Sequence, residues 1–252
     1  PAILLRSAIT GGGRVGRRTF LHPVVGMFGR FAERVEAFHG APQSVGSHQF
    51  IDRGDDRMGF FLEAAPVHPM LAAVAFQAFG AGLHELMTHL PHVAATIALS
   101  VDGLLPGDEG GTVTLKPDGR PQLAYPVGPA LQEAFRAAHE VLARLHLAAG
   151  AEVTLSGHLN PVEVRSEADL RALAAAPYGA FEHAIFSAHQ MGGCAMSRDA
   201  EGGVVGVDHR SWEVPNLFVV DGSVLPTALG VNPSETIYAL ARRAVGSVGA
   251  AV

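Results

Sequence analysis

The last quarter of the chain constrains the fold most, because it holds three distinct segments in a fixed order. The first is SAHQMGGCAM (187–196), in which a histidine precedes a pair of glycines. The second is the apolar run NLFVV (216–220), which predicts a short buried strand that ends in an Asp-Gly turn. The third begins at an Asn-Pro pair (232–233), from which apolar spacing predicts a final helix. A strand and a helix in this order indicate a mixed α/β unit.

Residues 28–125 contain short apolar segments broken by Gly, Pro and Asp, a pattern typical of strands. Residues 58–63 and 93–101 are predicted strands of an antiparallel sheet. The runs TVTLK and QLAYP, on either side of Pro-Asp-Gly at 117–119, predict a hairpin.

Two helices are predicted after this region. Apolar residues recur at helical spacing from Leu131 to Leu145, and Gly150 follows as a stop signal. Ser166 and Asp169 form a capping-box-like pair, which predicts a second helix that ends before the next proline.

Composition bounds the functional classes. The chain has 252 residues, 48% of them hydrophobic, which is enough for one large or two small domains. A formal net charge of -6 makes nucleic acid an unexpected partner. The apolar runs are shorter than the roughly 20 residues that span a bilayer, so no transmembrane segment is expected. The positive mean hydropathy leaves peripheral membrane association open, and the single cysteine favours the cytoplasm.

The amino-terminal segment PAILLRSAI lacks a starting methionine and a leader pattern, and we interpret it as a cut end. Gly11, Gly13 and Gly16 spell GxGxxG, the spacing of a dinucleotide-binding turn. The flanking residues predict neither a clean buried strand before them nor a helix after them. A glycine-rich surface turn is therefore the favoured interpretation.

The thirteen histidines do not predict a metal site. His84 and His89 are five residues apart, which places them on different faces of a helix, whereas zinc-binding pairs are four apart. His89 and His92 are separated by Pro91, and no third ligand is indicated. We expect these histidines to be surface or packing residues.

The ordered series in the last quarter resembles the C-terminal signature of the glucose-methanol-choline (GMC) oxidoreductases. The resemblance implies an α/β (mixed α+β) fold with an incomplete FAD-binding, Rossmann-like domain and a substrate domain built on an antiparallel sheet. The corresponding division is 1–20 and 184–252 for the FAD domain and 21–183 for the substrate domain. FAD is the implied cofactor, and the implied reaction is oxidation of a small-molecule alcohol to a carbonyl by hydride transfer.

The resemblance also implies two catalytic residues. His189 matches the family's flavin-facing histidine, and the ordinary pKa of an imidazole, about 6.5, suits a base that accepts the alcohol proton. Asn232 matches the second active-site position. An amide cannot act as a base, but it can hydrogen-bond the substrate oxygen. An Asn before a proline is equally typical of an ordinary helix start.

Five further residues are implied contacts of the cofactor. The turn at Asp221 and Gly222 matches the part of the family that lies against the ribityl and phosphate groups of FAD. Pro233, Ser234 and Thr236 begin the last helix, whose positive end suits the negative charge of reduced flavin. Pro233 has no N–H, so the donors must come from Ser234 onward.

Two alternatives stay open. A thiol nucleophile at Cys194 would need an orienting partner, and the sequence indicates none. The chain is alternatively a non-catalytic half that requires a partner supplying the missing N-terminal FAD-binding portion. The sequence does not identify the alcohol, the electron acceptor or the oligomeric state.

Overall fold

The computed structural model describes residues 1–41, 43–54, 56–76 and 78–251. Six helices are assigned within them: α1 (Ala2–Arg6), α2 (Pro69–Ala75), α3 (Gly80–Thr88), α4 (Pro129–Ala148), α5 (Leu170–Ala175) and α6 (Ser234–Gly249). The twelve assigned strands are β1 (Thr19–Phe20), β2 (Val24–Arg30), β3 (Gly46–Ser47), β4 (Phe60–Ala65), β5 (Val93–Ser100), β6 (Thr112–Leu115), β7 (Pro121–Ala124), β8 (Val153–Ser156), β9 (Glu163–Val164), β10 (Met191–Gly192), β11 (Met196–Ser197) and β12 (Val205–Gly206). The predicted mixed α/β fold with an antiparallel sheet is confirmed.

The chain divides into two compact units. Unit 1 comprises residues 1–22, 101–126 and 187–252, and unit 2 comprises residues 23–100 and 127–186. Residues 101–126 belong to unit 1, whereas the predicted substrate domain, 21–183, includes them. The functional division into an FAD domain and a substrate domain stays a prediction. Residues 101–111 hydrogen-bond to the segment around β1, and this pairing has no signal in the local sequence.

Unit 2 is built on a six-stranded antiparallel sheet of order β3-β4-β5-β2-β8-β9. Helix α4 packs against β2, β5 and β8. Its buried residues Leu131, Phe135, Ala138 and Leu142 follow the predicted helical spacing. The predicted stop is also present, since Gly150 has a φ of 95° directly after the helix.

A cluster of three histidines lies in the core of unit 2. His139 of α4, His158 and His183 have ring centroids 5.2 to 5.7 Å apart, and each contacts the ring of Tyr178. His139 contacts the Phe135 carbonyl oxygen through Nδ1 at 2.8 Å. Burial lowers the pKa of His139 to about 3 and that of His158 to about 4, and the pKa of His183 is lowered for the same reason. All three rings are therefore neutral at pH 7.

Unit 1 contains three two-stranded sheets: β1 with β10, β11 with β12, and the hairpin of β6 and β7. The hairpin is the predicted one, and Gly119 in its turn has a φ of 79°. It forms its own sheet in unit 1 and does not join the six-stranded sheet. Helix α6 is also confirmed, with Ala244 buried and Ile237 and Leu240 packed on apolar clusters.

The prediction of a buried strand at 216–220 is wrong. Phe218 forms a single bridge with Arg210, and the side chains of the run are half-buried or exposed. Among the described residues, the main chain of this run hydrogen-bonds chiefly to residues 209–211, so no ladder develops. Apolar runs of this length predict burial, but a strand also needs a neighbour that continues the pairing.

Candidate active site

His189 lies beside a second histidine, His22, because of the way two short strands pair. β1 and β10 are antiparallel, with Phe20 opposite Met191. In an antiparallel pair, one residue forward on one strand corresponds to one residue back on the other. Two residues beyond the pair of Phe20 and Met191, the same register places His22 opposite His189. The two Nδ1 atoms are 3.4 Å apart. The rings meet edge to face with centroids 5.5 Å apart.

His22 is fully buried, and a carboxylate holds its backbone. Its φ is 47°, a left-handed conformation that is uncommon outside glycine. Asp102 accepts the N–H groups of Leu21 at 2.9 Å and His22 at 3.0 Å, and the hydroxyl of Tyr125 at 2.6 Å. Three donors compensate the burial of this carboxylate and stabilise the unusual backbone at His22.

Burial also controls the protonation of these groups. The pKa of His22 falls to about 4, because burial and then the neighbouring His189 disfavour its charged form. Burial raises the pKa of Asp102, although its hydrogen bonds with Tyr125 and the two backbone N–H groups oppose this shift. The pKa of Tyr125 is raised by burial and by the adjacent carboxylate. His22 and Tyr125 are therefore neutral at pH 7.

The other ring nitrogen of His22 contacts the turn that leads to α6. The N–H of Gly230 donates to Nε2 of His22 at 3.3 Å, and Gly230 has a φ of 72°, which favours glycine. A neutral imidazole has one N–H, so a donor at Nε2 places the proton of His22 on Nδ1, facing His189. His22 thus connects the segment carrying His189 with the turn two residues before Asn232.

The Asp-Gly turn also lies next to the His189 segment. Asp221 is exposed, and its Oδ1 accepts the N–H of Ser223 at 2.8 Å, which caps a short 3₁₀ turn. Gly222 is buried, and a Cβ there would lie 3.0 Å from both the carbonyl oxygen of Gln190 and Cδ1 of Ile237 in α6. Glycine is therefore required where this turn meets the residue after His189.

The predicted residues at the start of α6 differ in exposure. Asn232 and Ser234 are exposed, Thr236 is half-buried and Pro233 is buried. The helical hydrogen bonds begin with the N–H of Ile237 donating to the carbonyl oxygen of Pro233 at 2.9 Å. Ser234 is thus the first residue of α6 that can offer its N–H outward.

His22, around which these segments meet, was not predicted as a site residue. His22 lies in the segment TFLHP, and nothing local distinguishes it from the twelve other histidines. Its importance follows from the pairing of two-residue strands that are distant in the chain, and such short strands have no clear sequence signal.

Cys194 is a packing residue of unit 1. Its side chain is fully buried in a cluster with Leu4, Val15 and Val204, and burial raises the pKa of its thiol. Both properties oppose a nucleophilic role. The preceding glycines are structurally required, because a Cβ at Gly192 would lie 1.9 Å from the carbonyl oxygen of Arg18.

Within residues 1–41, 43–54, 56–76 and 78–251, no group of three or more His, Cys, Asp or Glu residues is arranged to hold a metal ion. The GxGxxG glycines form consecutive turns between α1 and β1 and do not join a strand to a helix. No helix in the same ranges is long and apolar enough to cross a membrane.

The chain is similar to known proteins over most of its length. An uncharacterized GMC-type oxidoreductase of Mycobacterium tuberculosis is 29% identical over 96% of this chain and 37% of its own length. A long-chain-alcohol oxidase of Arabidopsis thaliana is 29% identical over 96% of this chain and 34% of its own length. The chain thus spans about a third of the length of the curated relatives it matches.

Solved structures show the same fold. Pyridoxine 4-oxidase from Mesorbium loti superposes on 99% of this chain and 49% of its own, with a TM-score of 0.66 and 18% sequence identity. The sequence model of the C-terminal domain of the family described as GMC oxidoreductase matches residues 106–241 of this chain. The chain therefore belongs to the GMC oxidoreductase family.

Proposed function

We propose that this chain is the C-terminal portion of an FAD-dependent enzyme that oxidises an alcohol to a carbonyl compound. The observation that carries the proposal is the strand register that sets His189 against the buried, neutral His22. The long-chain-alcohol oxidase that matches most of the chain supports an alcohol as the substrate. The electron acceptor and the cellular compartment are not specified by these residues, and the cytoplasm stays a prediction.

The residues of unit 1 fit a flavin cofactor. The first turn of the sixteen-residue helix α6 has an exposed Ser234, and a helix amino terminus stabilises negative charge. Asp221 is exposed beside a glycine that admits no side chain. We propose that Asp221, Gly222, Pro233, Ser234 and Thr236 contact FAD. When bound, FAD would accept the hydride from the carbinol carbon.

His189 is the proposed base. It would take the hydroxyl proton of the alcohol on Nε2, while the carbon–oxygen bond gains its double-bond character. For this step Nε2 must carry no proton, so the proton of neutral His189 must be on Nδ1, with Nδ1 of His22 as its acceptor. The N–H of Gly230 favours the opposite assignment of His22. A tautomer change in His22, with a shift of the Gly230 turn, therefore accompanies base catalysis.

The contact with Gly230 also favours a second role for His189. In the tautomer set by Gly230, His189 accepts at Nδ1 and presents an N–H at Nε2. It would then hydrogen-bond the substrate oxygen without removing its proton. Asn232, just before α6, is the proposed second group that orients this oxygen, by donating from its side-chain amide.

Two substitutions at His189 distinguish these roles in the FAD-loaded full-length protein. His189→Ala removes both the base and the donor, and it should slow anaerobic flavin reduction by alcohol at least about a hundredfold. His189→Gln keeps a donor but cannot act as a base. An equal loss in both variants supports the base, whereas near-normal reduction in His189→Gln identifies a donor. Near-normal reduction in His189→Ala would contradict the proposed function.

A further inference from the structure

A cavity of about 330 Å³ lies in unit 2 on the sheet face opposite α4. Gly29 faces α4, because a Cβ on it would lie 1.8 Å from Nδ1 of His146 in that helix. Side chains alternate along a strand, so Gly26 and Phe28 face the other way, into the cavity. The volume lies in the range of small-molecule pockets, about 300–1,000 Å³.

The cavity exists because small residues line the face where large ones would fill it. On the sheet side Gly26 pairs with Ile97, and Ala95 pairs with both Phe28 and Ala65. Across from the sheet, α2 contributes Ala72 and Ala75, and the lining also includes Gly157 and Ala184.

The lining is uncharged. Among the described residues that line the cavity, Thr96 alone has a polar side chain, and its Oγ1 contacts Nε2 of His146 in α4 at 2.6 Å. A second cavity of unit 2, about 350 Å³, shares Phe28, Ala75 and Gly157 with the first. Its lining also contains Arg30, Glu85 and Arg165. Burying a charged or polyhydroxyl ligand without partners is costly, so the uncharged cavity favours hydrocarbon.

We infer that the uncharged cavity of unit 2 binds the hydrocarbon part of an apolar, uncharged alcohol. The inference names the substrate class of the proposed enzyme, and in that respect it rests on the proposed function. Sugars, polyols and cationic amino alcohols are disfavoured in this cavity, because the described residues of its lining carry no charge and their one polar side chain, Thr96, contacts His146.

The first test is direct binding. Titration calorimetry with 1-octanol should show saturable binding to this chain, and sorbitol should show none. Ala75→Phe places a ring in the cavity and should weaken octanol binding at least about tenfold. Ala73→Phe is the matched control, because Ala73 lies on the same helix outside the lining. Unchanged octanol binding in Ala75→Phe, or no binding to the unsubstituted chain, overturns the inference.

A second variant guards against misfolding. Ala65→Leu fills the uncharged cavity from the sheet side and leaves the second cavity unchanged, because Ala65 lines only the first of the two. Thermal unfolding checks that each variant folds. Loss of binding in both folded variants supports the inference, and retention in both contradicts it.

Flavin reduction separates the inference from the proposed function. If octanol binds through the cavity but never reduces the flavin of the FAD-loaded full-length protein, the proposed function fails and the cavity is still an apolar ligand site. If octanol reduces the flavin of Ala75→Phe as efficiently as that of the unsubstituted protein, the inference fails and the proposed function stands.

Discussion

At the scale of single residues, His22 matters most, because one buried imidazole contacts two segments of the candidate site. Its Nδ1 is 3.4 Å from His189, and its Nε2 accepts from Gly230. The hydrogen bond from its backbone N–H to Asp102 holds the main chain at His22. We therefore assign His22 to positioning His189 in the proposed reaction.

We expect His22→Asn to lower the rate of flavin reduction at saturating alcohol about tenfold or more, with a smaller effect on KM. Asn tolerates a left-handed φ, so the backbone at His22 is preserved. The pH dependence of the rate should also change, because the contact between the two imidazole Nδ1 atoms is lost. Stopped-flow flavin reduction from pH 5 to 9 measures both effects.

His209 supplies the control for this substitution. It is also a buried histidine of unit 1 with a positive φ, 71°, and it contacts the carbonyl oxygen of Val219 away from His189. His209→Asn should leave the profile unchanged in shape. If both variants lose activity equally with no shift along the pH axis, His22 is only a structural residue.

At the scale of elements, local signals predicted the helices well. The spacing from Leu131 to Leu145 found α4, and the capping box of Ser166 and Asp169 is present at the start of the predicted turn and helix. These elements were predictable because their stabilising contacts lie within a few residues of one another. The prediction of a buried strand at 216–220 was wrong, because a strand forms only where a neighbouring strand continues the pairing.

The cluster of three buried histidines also makes unit 2 sensitive to acid. His139, His158 and His183 have folded pKa values below the ordinary value of about 6.5, so the unfolded chain binds more protons at low pH. Their stabilising effect is complete above about pH 6.5 and is lost as the pH falls towards their folded pKa values. For His139, the most buried, the free energy of unfolding should fall by about 1.4 kcal/mol per pH unit.

Urea unfolding between pH 7 and pH 4.5 measures this dependence. His139→Leu should reduce the slope of the free energy of unfolding against pH, because one titrating group is removed. His84→Leu is the control, since His84 is exposed on α3. A slope that is the same in the unsubstituted protein and in His139→Leu would show that His139 does not contribute.

At the scale of the whole molecule, the family and the mixed α/β fold were predictable from the last quarter of the sequence. The position of residues 101–126 and the importance of His22 were not. Both depend on contacts between distant segments, such as that of Asp102 with Leu21. Local sequence reports propensity and periodicity, but the pairing of short, distant segments is decided by the packing of the whole unit.

The isolated chain should bind FAD weakly. Its GxGxxG glycines form turns without the strand and helix that surround a dinucleotide-binding turn, so the ADP part of the cofactor lacks that contact. Flavin absorbance should therefore separate from the purified chain on gel filtration. Coexpression with a segment that supplies the nucleotide-binding turn should restore it. Flavin that stays with the isolated chain would contradict this expectation and the split-half alternative together.

The division of the chain into two discontinuous units has a consequence for the speed of folding. The polypeptide passes between the units four times, at residues 22–23, 100–101, 126–127 and 186–187. During synthesis His22 leaves the ribosome 167 residues before His189. Chains dominated by contacts between distant residues fold slowly. We therefore expect β1 to pair with β10, next to His22, only after residues 191–192 have left the ribosome.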